Sequence, residues 1–108
     1  RFQDMTQKAT KLVIITENVL LRKVTKIILD AGATGYTVMA AAGVGSRNTP
    51  SPIHSPVSDT YSNIKIEVIT ANEDIARTIA KQVADRYFEN FSGIIHLGEV
   101  EVLYAHSL

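Results

Sequence analysis

Two short segments with nearly the same pattern set the limits on the fold. Residues 11–16 (KLVIIT) and residues 65–70 (KIEVIT) both begin with Lys, are rich in apolar β-branched residues and end in Thr. Runs of this length and composition are typical of β-strands. Each is followed by a segment in which apolar residues recur at helical spacing, and then by further strand-like residues. The repetition therefore predicts two successive β-α-β units.

The segments between the strands predict two helices. Apolar residues recur at helical spacing across residues 19–31 and again across residues 75–88. Either Thr16 or Asn18 could cap the first helix with a side-chain oxygen. Gly32 is placed to end that helix in a left-handed conformation. The basic residues on the outer side of the first helix are explained by exposure of that side to solvent.

Four strands are predicted, at residues 11–16, 36–42, 63–70 and 93–104, the last with a break at Gly98. Two β-α-β units on one sheet make an α+β fold, a ferredoxin-like βαββαβ sandwich. The helices would then cover one face of the sheet. In a chain of this length, the other face is most simply covered by another subunit.

A long segment, residues 43–62, separates the second strand from the third. Pro50, Pro52 and Pro56 interrupt it, and each removes a backbone hydrogen-bond donor, so no continuous strand or helix is expected there. We expect a flexible loop. A passive connection and a lid that closes on a ligand both fit this composition.

The start of the loop is the best ligand candidate in the sequence. Gly43 and Gly45 can adopt the positive φ values that turn consecutive N–H groups toward an anion. Ser46 adds a hydroxyl, and Arg47 adds a forked, permanently charged donor that matches phosphate oxygens. No Walker sequence is present, so this segment predicts anion binding without specifying the ligand.

Composition excludes several classes of function. Lys and Arg number 11 and Asp and Glu number 11, which argues against a nucleic-acid-binding protein. The absence of cysteine excludes disulfides and cysteine-ligated zinc. No apolar run approaches the roughly 20 residues of a membrane span, so we expect a cytoplasmic protein. We expect one domain, residues 5–108, with residues 1–4 left over from cloning.

No catalytic or metal-binding constellation stands out. The serines lack a nucleophile elbow, and His54, His96 and His106 are too scattered to form a metal pair. For His96, inside a strand, a structural role is the simpler explanation. Glu67 is unusual because its strand is expected to be largely buried. Glu67 fits either a position on the solvent-exposed face of the sheet or a functional role.

The combined motifs resemble PII signalling proteins. The resemblance is carried by residues 32–38 (GATGYTV), the Gly43-x-Gly45 pair and residues 65–68 (KIEV), with residues 91–95 (FSGII) in the place of a later nucleotide-binding loop. More narrowly, the chain is similar to the PII-like regulators of cyanobacterial bicarbonate uptake, the SbtB group. The resemblance spans almost all of the chain.

This resemblance implies a homotrimer that senses cyclic AMP, AMP, ADP or ATP in clefts between subunits, with a divalent cation accompanying ATP. No obligatory cofactor is implied. The long loop, called the T-loop in this family, would contact a sodium-dependent bicarbonate transporter of the carbon-concentrating mechanism. The protein would then be cytoplasmic and attached to the inner membrane only through that partner.

The family's phosphate and adenine contacts carry over to matching positions. The resemblance implies that Gly45, Ser46 and Arg47 hold phosphate groups. It implies that Thr34 and Gly35 line the adenine side of the cleft.

Further along the chain, the resemblance gives Gly93 and Ile94 main-chain contacts to the nucleotide and places Glu67 near it. Ile94 stands where PII proteins of the best-known type carry a phosphate-binding lysine, and Glu99 and Glu101 fall where they carry arginines. With fewer cations, smaller anions such as cyclic AMP or AMP are favoured over tight triphosphate binding and 2-oxoglutarate sensing.

Two alternatives belong to other functional classes. A slow nucleotide phosphohydrolase would use the same cleft, with Glu67 or Asp59 placing a metal ion or a water molecule. A trimeric metal-tolerance protein would share the architecture, but the lack of cysteine and of paired histidines argues against it.

Overall fold

The computed structural model describes residues 6–42 and 62–108, which form four strands and two α-helices. In chain order these are β1 (Gln7–Glu17), α1 (Leu21–Asp30), β2 (Thr37–Ala41), β3 (Asn63–Thr70), α2 (Glu73–Tyr87) and β4 (Gly93–Val102), with a 3₁₀ turn at Asn18–Leu20 before α1. Most of the predicted loop, and the four residues assigned to cloning, lie outside the described residues.

The strands form one antiparallel sheet in the order β2-β3-β1-β4. This order confirms the predicted α+β, ferredoxin-like βαββαβ fold. Ile14 on β1 lies opposite Ile66 on β3 and Ile95 on β4, so apolar side chains line up across the sheet. The predicted break at Gly98 is wrong, because Gly98 pairs with Lys11 within a continuous strand.

The core lies between one face of the sheet and the two helices. Its members alternate along the strands and recur at helical spacing on α1 and α2. They are Leu12, Ile14, Leu20, Val24, Ile27, Ile28, Ile64, Ile66, Val68, Ala76, Ile79 and Val83. Burying each large aliphatic side chain contributes roughly 1.5–3 kcal/mol, so this layer is a major source of hydrophobic stabilisation.

The helix ends show one expected and one unexpected feature. Gly32 has φ of +100° just after α1, and its N–H donates to the Leu29 carbonyl at 3.1 Å, which confirms the predicted left-handed end. The predicted side-chain cap at Thr16 or Asn18 is wrong, since neither α1 nor the 3₁₀ turn has one. The Thr16 hydroxyl instead donates to the carbonyl of Ser92 at 2.7 Å.

The second face of the sheet, which we call the open face, is not covered by either described helix. Lys11, Lys65, Glu67 and His96 lie on it, at alternate positions of β1, β3 and β4. Its coverage by another subunit therefore stays a prediction. Neither described helix has the length and hydropathy to cross a membrane.

Candidate functional site

A cleft of about 310 Å³ opens on the open face, where the start of β2 meets β3. Thr34 and Gly35 lie at its rim, and Glu67 lies in its wall. The C-terminal residues turn back from β4 and complete the cleft with Tyr104 and Leu108.

The register of the sheet explains why these residues meet. Gly32 ends α1, and the exposed residues after it lead into β2 at Thr37. Thr37 is the pairing partner of Glu67 on β3, so the segment just before it reaches the same end of the sheet as Glu67. The structure thus brings together three predicted site residues, Thr34, Gly35 and Glu67.

Two lysines converge on the Glu67 carboxylate. Lys65 Nζ lies 3.4 Å and Lys11 Nζ 3.7 Å from Glu67 Oε2. The Glu67 side chain is 25% exposed and both lysine side chains are 39% exposed, so the charges are partly shielded from water. With two ammonium groups and one carboxylate, this cluster has a net charge of plus one. Neither lysine lines the cleft itself, but their excess charge lies beside Glu67 in its wall and favours an anion over a cation there.

The same geometry bears on a metal or hydrolytic role for Glu67. Within residues 6–42 and 62–108, no group of three His, Cys, Asp or Glu side chains could hold a metal ion. Because the Glu67 carboxylate already faces two ammonium groups, a cation bound there would be repelled by both lysines. The arrangement fits binding of a polar or anionic ligand better than metal-assisted hydrolysis.

Gly93 and Ile94 lie elsewhere, at the beginning of β4. They pair with Thr16 and Ile15 at the far end of β1, and the Ile94 residue is 58% exposed. Since β2 and β4 are the two edge strands, Gly93 and Ile94 are separated from Thr34 by the width of the sheet and by its length.

Packing gives a separate reason for glycine at position 93. A Cβ atom added there would meet Cζ of Phe88 at 2.2 Å and the two Cε atoms at 2.5 and 2.6 Å. The Phe88 ring packs against the hydrophobic core and stands directly over the glycine. Gly93 therefore permits a close approach between this ring and the start of β4.

The remaining predicted residues, Gly45, Ser46 and Arg47, lie outside the described residues, as does Asp59, the alternative to Glu67 in the phosphohydrolase hypothesis. β2 ends at Ala41, which pairs with Asn63, the first residue of β3. That end of the sheet is also the one at which β4 begins at Gly93. Among the described residues of one chain, the predicted site residues fall into two groups, with Thr34, Gly35 and Glu67 on the β2 side of the sheet and Gly93 and Ile94 on β4.

The sequence interpretation missed the two lysines beside Glu67 and the C-terminal residues that line the cleft. Lys65 shares the face of Glu67 because it lies two positions before it in β3, and the alternation of that strand could have revealed it. Lys11 could be found only from the pairing of β1 with β3. Tyr104 belongs to a segment that resembles the family, but no site role is predicted for it, and its ring forms an edge-on contact with His106 at 5.2 Å between ring centroids.

A second groove runs between α2 and β4 and is floored by Ala80, Ala84 and Leu97. The two helix cations on its rim are already paired with acidic residues one turn away, Arg77 with Glu73 and Lys81 with Asp85. The hydrogen bond from Lys81 to Asp85, together with the attraction of that carboxylate, raises the pKa of the lysine. Both cations on the rim of this groove are thus already engaged by neighbouring carboxylates.

Sequence comparison identifies a family match across most of the chain. The family described as nitrogen regulatory protein P-II matches residues 9–107. This range contains every predicted site residue. It also includes the entire sheet except the first two residues of β1.

Solved structures of PII-like proteins share the architecture. A PII-like signalling protein from Thermus thermophilus has a TM-score of 0.72 and 24% identity, covering 92% of both chains. CPII from Thiomonas intermedia, bound to ADP and bicarbonate, has a TM-score of 0.74 and 24% identity, also covering 92% of both chains. A B. subtilis GlnK–ATP complex has a TM-score of 0.59 and 23% identity, covering 86% of this chain and 82% of the other. At these identities the likeness shows the shared fold.

Proposed function

Because the chain belongs to the P-II family, we propose that this PII-like protein binds an adenine nucleotide in clefts between the subunits of a homotrimer. The observation that carries the proposal is the division of the predicted site. Thr34 and Gly35 lie beside the edge strand β2, with Glu67 on the neighbouring strand β3, whereas Gly93 and Ile94 lie on the opposite edge strand, β4. If two copies place β2 of one beside β4 of the other, these two groups of residues would come together in one site.

The chemistry of the cleft supports an anionic ligand. Lys11 and Lys65 supply more positive charge than Glu67 neutralises. Among the structural neighbours, CPII is described with ADP, AMP and bicarbonate, and GlnK with ATP. For this chain we propose AMP, ADP, ATP and cyclic AMP as candidate ligands, with a divalent cation accompanying ATP.

The phosphate groups would be held by Gly45, Ser46 and Arg47, as the glycine spacing and the guanidinium indicate. Main-chain groups of Gly93 and Ile94 would contact the nucleotide from the other copy. The apolar side chain of Ile94 offers no charge to a γ-phosphate, which supports a preference for ligands with fewer phosphates.

Downstream of nucleotide binding, we propose that the protein regulates a sodium-dependent bicarbonate transporter, as in the SbtB group. Residues 43–62 would form the contact, so that nucleotide occupancy at Gly45–Arg47 changes the affinity for the transporter. The protein would act in the cytoplasm and reach the inner membrane through this partner. The support is the sequence pattern of residues 32–48 and the resemblance built on it.

Titration calorimetry with cyclic AMP, AMP, ADP and ATP tests nucleotide binding. We expect at least one to bind, and Arg47→Ala to raise its dissociation constant by about tenfold through loss of a charge-assisted hydrogen bond. Arg22→Ala, which removes an exposed arginine from α1, is the matched control and should leave affinity unchanged. Absence of binding by all four nucleotides, or equal binding by Arg47→Ala, would contradict the proposal.

The shared cleft also predicts an oligomer of defined size. Sedimentation equilibrium should give a species three times the 11.8 kDa mass of the chain. Ile94→Asp places a charge on the exposed apolar start of β4 and should weaken the assembly if this edge is an interface. Val19→Asp, at an exposed apolar residue of the 3₁₀ turn, is the control. A monomer at all concentrations would exclude clefts between subunits.

A further inference from the structure

The turn at the end of β1 is bonded to two distant parts of the chain. Thr16 and Glu17 bond to Ser92, 76 and 75 positions away in the sequence. The next residue, Asn18, donates its backbone N–H to the carbonyl of Ser62 at 2.8 Å. We call residues 16–18 the β1 turn.

On one side, the β1 turn is hydrogen-bonded to three atoms of Ser92, which are its backbone nitrogen, its carbonyl oxygen and its hydroxyl oxygen. Oε2 of Glu17 accepts the backbone N–H of Ser92 at 2.8 Å and lies 3.3 Å from its hydroxyl oxygen. The hydroxyl of Thr16, which is only 2% exposed, donates to the Ser92 carbonyl at 2.7 Å. A carboxylate that accepts a backbone N–H is one of the stronger hydrogen bonds in proteins. Ser92 immediately precedes Gly93, so these bonds fix where β4 begins.

On the other side, the β1 turn holds Ser62, which directly precedes β3. Glu17 also pairs with Asn63 in the ladder between β1 and β3. A displacement of Ser92 that moves Glu17 must therefore also affect the adjacent residue Asn18, whose backbone N–H is hydrogen-bonded to the Ser62 carbonyl.

We propose that Glu17 is a positioning residue that sets the Ser92–Ile94 segment for its ligand, and that the β1 turn couples this segment to the start of β3. The ligand-dependent part rests on the proposed nucleotide function. The coupling itself rests on the bonds from the β1 turn to Ser92 and Ser62. The proposal gives Glu17 a role different from a helix cap, since it makes no side-chain cap bond.

Amide hydrogen exchange measured by NMR without ligand tests the coupling. With rates corrected for sequence effects, Glu17→Ala should raise exchange at Ser92 by about tenfold, because its N–H loses a charged acceptor. It should also raise exchange at Asn18 by about threefold through the weakened turn. Glu17→Gln keeps an acceptor oxygen and should restore most of the protection. Glu89→Ala, an exposed glutamate close to Ser92 in sequence, should change neither amide.

A second variant approaches the β1 turn through another bond. Thr16→Val has nearly the same shape and removes the hydroxyl that bonds to the Ser92 carbonyl. It should raise exchange at Asn18 as Glu17→Ala does. If both variants leave Asn18 at the wild-type rate, the coupling is overturned and the bonds to Ser92 anchor only their own loop.

Adding ADP separates this inference from the proposed function. In the wild type, saturating ADP should slow exchange at both Ser92 and Asn18. In Glu17→Ala the dissociation constant for ADP should rise about tenfold, and at saturation Asn18 should no longer respond. An Asn18 response of wild-type size in the saturated variant would overturn the coupling. If the wild type binds neither ADP nor the other three nucleotides, the proposed function fails, whereas the ligand-free rates still decide the coupling.

Discussion

Gly93→Ala is expected to lower the free energy of unfolding by about 2 kcal/mol, because the new methyl group would overlap the Phe88 ring. Three ring atoms would lie between 2.2 and 2.6 Å from the added Cβ, well inside van der Waals contact. The ring is partly buried against the core, so moving it aside would give up some of that packing. Urea denaturation at one fixed protein concentration should show the loss as a lower midpoint, and the melting temperature should fall by roughly 10 °C.

Two further variants separate the clash from a general effect of alanine. Gly98→Ala lies on the same strand, and its added Cβ would meet no atom within 4 Å, so its effect should stay below about 0.5 kcal/mol. Phe88→Leu should make room for the methyl group, so that the double variant loses less than the sum of the single changes. Equal losses for Gly93→Ala and Gly98→Ala would contradict the described packing.

Ile28→Ala is expected to cost about 3 kcal/mol in the free energy of unfolding. The side chain is fully buried between α1 and the sheet, so its truncation removes apolar burial and leaves a cavity. Alanine is a good helix former, which means that the loss reports packing and not helix propensity. The same denaturation measurement gives the value.

The adjacent residue provides the matched control for this prediction. Leu29 is 50% exposed on the next position of α1, and Leu29→Ala should cost less than about 1 kcal/mol. If Ile28→Ala and Leu29→Ala lower the free energy of unfolding by nearly the same amount, α1 does not direct Ile28 into the core.

The strands and helices could be predicted because their patterns are local. The alternation in residues 63–70 gave β3 with its observed bounds, and Gly32 gave the end of α1. The prediction failed where a distant partner decides the outcome. The Thr16 hydroxyl bonds to Ser92, 76 residues away, instead of capping the helix beside it. Gly98 lies inside β4 because Lys11 pairs with it.

The candidate site likewise contains residues that local motifs predict and residues that only the pairing of strands reveals. Thr34, Gly35 and Glu67 were singled out from motifs, and the pairing of β2 with β3 brings them to one cleft. Lys11 was not singled out, since only the register of β1 against β3 places it beside Glu67. Gly93 was assigned to ligand contact alone. Its packing beneath Phe88 depends on the rotation of a ring that no motif describes.

The order of the strands has a consequence for genetics if neighbouring copies share each site. A chain damaged near Thr34 and a chain damaged near Gly93 would each be inactive alone, yet a mixed trimer of the two would contain an undamaged cleft wherever the intact edges meet. Complementation between two defective alleles would then be possible. A defective chain expressed beside the normal one would impair every trimer that it joins, so such alleles would be partly dominant.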